Sequence, residues 1–341
     1  MKTMRLAACQ GTFATVCGAA MRCIPLFVFF FCGAANAGQI DQRELYAREK
    51  EAAEAADSLA GVLISVSGKS TDCRACRAEF KRIADAVAEA QHKNRSEIAA
   101  ALADDSVGHV QARARRLAAA EQAAADYAGL QKRVAAKSLC GSCAGGGGNS
   151  RAADLEKEFG KRQAEAILAS LNDALGSLRR AAHSMRRRWY DDGFGKRFDA
   201  LFETWMGKPT IANMQLAADC LDGLFASLVV KNVDPAAHIK APLKSGIQEI
   251  RDAATSGGVS AFVYFGITEA ENHIFLGPGF FTYGLRGGTL IHEEAHLLYD
   301  ATDKGNAQLR SGGYRPPTHK GRGAILDAYS IEAFVEQLAK F

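Results

Sequence analysis

The sequence predicts a mainly α chain with a small β-sheet (α+β), and three observations lead there. Residues 40 to about 190 are rich in Ala, Glu, Lys, Arg and Leu, which are strong helix formers. Two C-x-x-C pairs bracket two helical stretches of nearly equal length. Strand-like residues come late: 260–265 read as a strand, and the Gly277-Pro278-Gly279 turn with Phe280 and Phe281 leads into an edge segment. The tyrosine and phenylalanines there are more often core than subsite.

The chain has 341 residues, 48% of them hydrophobic, which is enough for two domains with packed cores. An export signal is expected over residues 1–37. Arg22 precedes an apolar run over 24–32, and Ala35-Asn36-Ala37 follows as an A-x-A cleavage pattern. The run is too short to span a bilayer comfortably, so no stable membrane insertion is expected after cleavage. The formal charge is +4, and removing Lys2, Arg5 and Arg22 with the signal leaves +1. A near-neutral mature chain gives no reason to invoke nucleic acid or an anionic membrane. The expected location is secreted or periplasmic.

Residues 38–150 are expected to form a helical hairpin. One arm runs from about Arg74 to Ala103 and the other from about His109 to Ser138, with a turn at Asp104-Asp105-Ser106-Val107-Gly108. Each arm is about 45 Å long. The short connection packs them antiparallel. Cys73 and Cys76 open the first arm, and Cys140 and Cys143 close the second. Equal arms bring the two pairs together, so Cys76–Cys140 and Cys73–Cys143 bridges are expected in an exported chain. A four-cysteine zinc site is the competing reading. Cys220 is left over as a buried free thiol. A Gly-rich break over 144–150 ends this part. A helical segment follows over 151–190, and its Arg179, Arg180 and Arg186–Arg188 are read as a solvated face. The catalytic domain is placed at 191–341.

The chemistry is carried by Leu290-Ile291-His292-Glu293-Glu294-Ala295-His296, read as a helix capped by Thr289. Residues i and i+4 share one helical face, so both imidazoles can reach one metal ion. Glu293 lies beside the remaining coordination position. There it can take a proton from a zinc-activated water and hand it to the leaving amine. Zinc needs a third protein ligand that leaves one position open. Asp303 is preferred, reached by a turn after a helix ending near Thr302. Asp300, at i+4 from His296, is held in reserve; His319 and Asp327 lie further off.

Residues 197–341 resemble the aspzincin metallopeptidases, the family of deuterolysin and the peptidyl-Lys metalloendopeptidases. Four ordered blocks carry the likeness: residues 197–207, with Trp205 and Gly207; residues 261–264 followed by 274–281; Thr289-Leu290-Ile291-His292-Glu293; and residues 327–334. The resemblance implies a zincin-like domain with His292, His296 and an aspartate as zinc ligands and Glu293 as general base. It departs from the family at two points. The tyrosine expected three residues after the third ligand is Asn306, with Tyr314 or Tyr299 as substitutes, and Gly277 replaces a cysteine. Asp327 matches the first of two acids that face a substrate lysine in Lys-cleaving members, but Ser330 replaces the second. Asp327 therefore reads either as a substrate contact or as a helix N-cap.

The expected function is a secreted zinc metalloendopeptidase acting on a protein or peptide substrate. Two alternatives stay open. One is a zinc amidase acting on bacterial cell-wall peptides, or a delivered toxin or effector. The other is a degenerate metallopeptidase used as a binding module, with the hairpin as its working part.

Overall fold

Helix α1 (Gln42–Ser67) starts where Asp41, in extended backbone, accepts a hydrogen bond from the Arg43 N–H. Such a cap contributes about 1 kcal/mol. A computed structural model of the protein describes residues 41–68, 74–103, 109–136, 151–255, 260–265, 272–282, 286–303, 316–317 and 321–341. The expected export signal, the hairpin turn, His319 and Tyr314 lie outside these residues. So do Cys73, Cys140 and Cys143, and with them the bridge expected of Cys76. Among the described residues no helix is long and apolar enough to cross a membrane.

The two hairpin arms form α2 (Arg74–Ala103) and α3 (His109–Ala136), packed against each other as their spacing predicts. The helical pattern after residue 150 is not continuous. It divides into α4 (Arg151–Phe159) and α5 (Lys161–Arg187) at Gly160, whose φ of 83° suits a residue without a Cβ. Helix α6 (Asp192–Trp205) is capped by Asp191, and α7 (Ile211–Val233) by Thr210. Then follow α8 (Pro235–His238), β1 (Ile239–Lys240), a 3₁₀ turn (Pro242–Lys244) and α9 (Gln248–Thr255). The last elements are β2 (Ala261–Phe262), β3 (Ile274–Leu276), α10 (Pro278–Thr282), α11 (Arg286–Tyr299), α12 (Arg322–Ile325) and α13 (Ala328–Leu338).

The small sheet has the order β1-β3-β2, with β1 parallel and β2 antiparallel to β3. Phe262 stacks on Phe275, with ring centroids 5.4 Å apart, across the β2–β3 pair. The phenylalanine pair after Gly277 lies in α10 rather than in the turn into an edge segment expected from the sequence. Its backbone turns helical directly after β3, and Phe280 is buried in the main core.

Helices α5 and α7 form the middle of the molecule. α1 and α2 pack on one or both of them, and so do α11 and α13. Helix α5 buries Ala164, Ile167, Leu171, Ala174, Leu175, Leu178, Ala181 and Met185, an i, i+3, i+4 series. Residues 40–341 form one compact unit, and the larger of two apolar clusters among the described residues extends from α1 to α13. That core crosses the boundaries expected near residues 150 and 190, because α5 buries side chains against partners from both parts. Polar contacts add to this docking. Arg95 of α2 pairs with Asp219 and Asp222 of α7, and Arg116 of α3 is bidentate to Glu49 of α1 at 2.9 Å. Phe334 of α13 meets Phe198 and Phe202 of α6 edge-on, at 6.1 and 5.6 Å. Cys220 is a buried free thiol that burial pushes up to about 12, which suits packing rather than chemistry.

One buried ion pair joins α7 to α11. Lys231 Nζ donates to Glu294 Oε1 at 2.8 Å, and the Ser227 hydroxyl donates to the same oxygen. Glu294 is fully buried and Lys231 nearly so. Lys231→Met strands the carboxylate and should cost about 3–5 kcal/mol, while a joint Lys231→Met, Glu294→Met replacement recovers most of it. Urea unfolding of the three chains checks this. A single-variant loss below about 1 kcal/mol would show that the pair does not hold α11 in place.

Candidate metal centre

Helix α11 begins a full turn earlier than the sequence suggests. Thr289 lies inside it, and the first turn is Arg286 to Thr289. This first turn packs closely on its neighbours at Gly287 and Gly288. A Cβ at Gly287 would stand 2.4 Å from Asp173 Oδ2 and 3.1 Å from the Ala174 backbone nitrogen of α5. A Cβ at Gly288 would stand 2.6 Å from Glu332 Oε1 and 2.8 Å from Glu336 Oε1 of α13. The pair of glycines lets α11 enter between these two helices.

His292 and His296 share one face of α11, with ring centroids 4.8 Å apart. The helix ends at Tyr299 because Asp300 takes a left-handed backbone, φ 48°. Its N–H still reaches the His296 carbonyl at 3.1 Å, and the chain then reverses. Thr302 next pairs with Asp327 in a parallel bridge, its N–H donating to the Leu326 carbonyl and its carbonyl accepting from the Ala328 N–H, both at 3.1 Å. This bridge returns Asp303 to the histidines. Asp300, the reserve candidate, is exposed and serves as the reversal residue.

The three side chains converge. His292 Nε2 and His296 Nε2 are 3.1 Å apart, and Asp303 Oδ1 lies 3.3 and 3.4 Å from them. A tetrahedral zinc with bonds near 2.05 Å sets its ligand atoms about 3.3 Å apart. The triangle therefore has the size of one face of such a polyhedron. His292, His296 and Asp303 could hold a metal ion together. The outer contacts leave Nε2 for that purpose. The Nδ1 of His296 lies 2.6 Å from the Ala301 carbonyl, and the Nδ1 of His292 lies 3.3 Å from Glu332 Oε2 at an unaligned angle.

The electrostatics suit a cation. Burial opposes charge on His292, but Asp303 and Glu332 outweigh it and raise the imidazole to about 10. His296 is also raised, against burial, by Asp303. Asp303 is lowered, because both histidines outweigh its own desolvation. Burial pushes Glu293 up to about 7, opposed by the two imidazoles. The site thus combines three carboxylates with two imidazoles, and Asp303 is half open to solvent.

Other residues named from the sequence sit elsewhere. Asp327 is fully buried, and its Oδ1 accepts from the N–H and the hydroxyl of Ser330, both at 2.9 Å. This is the N-cap of α13, so the substrate contact expected of Asp327 finds no exposed carboxylate here. The hydroxyl of Tyr299 lies 3.2 Å from the Cys220 carbonyl, against α7. Two neighbours of the site were not foreseen. Glu332 stands beside His292, and the ring of Tyr329 lies 4.3 Å from the His292 ring. Both come from α13, and no spacing relative to the H-E-x-x-H motif signals them.

A metal ion held by this group should bind one to one, and Asp303→Ala should weaken binding by more than roughly 100-fold, beyond the usual outer-shell effect. Protons compete for both Nε2 atoms. Affinity should therefore rise with pH through neutrality, with proton release on binding. Calorimetry in buffers of different ionisation enthalpy measures both. An affinity independent of pH between about 6 and 9 would rule out imidazole ligation.

No protein-family model matches this chain, and comparisons with curated proteins and with solved structures likewise find no match.

Proposed function

We propose that this chain is an exported zinc metalloendopeptidase that hydrolyses peptide bonds in protein or peptide substrates. The observation that carries the reading is the triangle of His292, His296 and Asp303 with buried Glu293 next to it on the same helix. The ordered sequence blocks that resemble those of the aspzincins support it.

The donor set of two imidazoles and one carboxylate suits zinc, leaving one position open. When bound, zinc supplies Lewis acidity toward water and a scissile carbonyl. The protein's own residues supply the proton transfers. Glu293 accepts the proton of the attacking water and returns it to the leaving amine nitrogen. Its burial lifts it toward neutrality, where a carboxylate is a stronger base. The hydroxyl of Tyr329, on a ring against His292, can donate a hydrogen bond to the carbonyl oxygen as that oxygen gains charge.

The test is cleavage of an unfolded protein mixture by the purified chain, with product ends identified by mass spectrometry. Glu293→Gln should lower kcat by about 10²–10⁴-fold with zinc still bound. Undiminished cleavage in that variant would remove Glu293 from the mechanism. No cleavage by the zinc-loaded parent would remove the peptidase reading and favour a cell-wall amidase or a binding module.

Two further results are expected. Tyr329→Phe keeps the ring and loses the hydroxyl, so kcat should fall by about 10²-fold with zinc affinity unchanged. The rate should fall as acid protonates Glu293. A divalent cation nearby pulls this group below its value of about 7, so the acid limb of kcat/KM should lie between 4.5 and 7. A rate that stays flat down to pH 4.5 would contradict a Glu293 base.

A further inference from the structure

Glu332 has no part in the H-E-x-x-H motif, yet it touches the metal helix at two successive turns. It sits on α13, five residues after the capping Asp327, and is 2% exposed. One oxygen, Oε1, lies against Gly288, so close that a Cβ there would stand 2.6 Å away. The other, Oε2, lies 3.3 Å from His292 Nδ1. Burying a carboxylate costs several kcal/mol unless a partner offsets it. An apolar side chain would fill the same place between α11 and α13 without that cost.

The two imidazoles are also treated differently. His296 Nδ1 faces a neutral backbone carbonyl, whereas His292 Nδ1 faces a carboxylate. A carboxylate is the stronger acceptor and makes the opposite ring nitrogen a better donor to a cation. His292 is also the more buried of the two, so it has less access to water as an alternative partner.

We propose that Glu332 is a positioning residue for the metal centre, holding the proton of His292 on Nδ1 so that Nε2 is presented to zinc. The inference rests on the zinc reading above but not on peptidase activity. Glu332 fixes both the tautomer and the ring orientation of one ligand, and Gly288 is the position that leaves room for it. Outer-shell partners of this kind change metal affinity without touching the metal.

The test is zinc affinity by competition with a chromophoric chelator, for the parent chain, Glu332→Gln and Gly288→Ala. The amide keeps the shape of the side chain but loses acceptor strength, so Glu332→Gln should bind zinc about 10–100-fold more weakly. Its visible cobalt spectrum should also change, which a packing defect distant from the ligands would not cause. Gly288→Ala displaces the carboxylate and should weaken zinc in the same direction. Affinities within twofold of the parent for Glu332→Gln would overturn the proposal and leave the zinc reading intact. A parent chain that binds no zinc would overturn both. If Glu332→Gln fails to fold, a crystal structure of the zinc-loaded parent decides. The Nδ1–Oε2 distance should close from 3.3 Å to about 2.8 Å, and a carboxylate turned away from His292 would overturn the proposal.

Discussion

The site depends on how closely α11 approaches its neighbours, and two adjacent glycines make that approach possible. Gly287 lies against α5 and Gly288 against two carboxylates of α13. Protein interiors are close-packed, so a helix cannot be moved aside to admit even one methyl group without disturbing what it carries. The imidazoles of His292 and His296 project from the turns that follow. Their position is set by this contact on one side and by the Lys231–Glu294 pair on the other. The helix is therefore fixed by apolar packing, by a close backbone approach and by one buried charge pair at once.

The second half of the site comes from the C-terminal part of the chain. Asp327 caps α13, and the backbone around it pairs with Thr302. One short bridge thus ties together the segment that carries Asp303 and the helix that carries Tyr329 and Glu332. The left-handed Asp300 makes the bridge reachable by ending α11 abruptly. A polar residue tolerates that backbone better than a β-branched one would. Asp303, exposed as it is, follows a residue held by backbone hydrogen bonds on both its N–H and its carbonyl, at Thr302.

Charge is concentrated where chemistry is proposed. Glu293, Glu294, Glu332 and His292 are all buried on or against one helix. Such groups cost stability unless they are paired, and among the described residues only Glu294 has a dedicated lysine. The others face one another around the ligand triangle, an arrangement that favours a bound cation over a well-packed apolar core. The described residues of the hairpin take no part in this cluster. Its arms are joined to the rest through α1 and α7, so it shares the core of the molecule while leaving Asp303 open to solvent.

The sequence by itself determined the features that depend on near neighbours along the chain. The i, i+4 histidines, the intervening Glu293, the hairpin arms and the helix-rich composition are all local patterns. Asp303 was also legible, because a turn after the helix limits where a nearby side chain can reach, although the helix stops at Tyr299 and not near Thr302. The capping role of Asp327 was one of two readings that its position allowed. Tertiary structure decided the rest. The true start of α11, the choice of Tyr329 over Tyr299 beside His292, and the place of Glu332 all follow from which faces of α5, α7 and α13 meet α11. Those contacts join residues from tens to more than a hundred positions apart. They are set by the packing of whole helices, for which local periodicity names the buried face but not the partner that covers it.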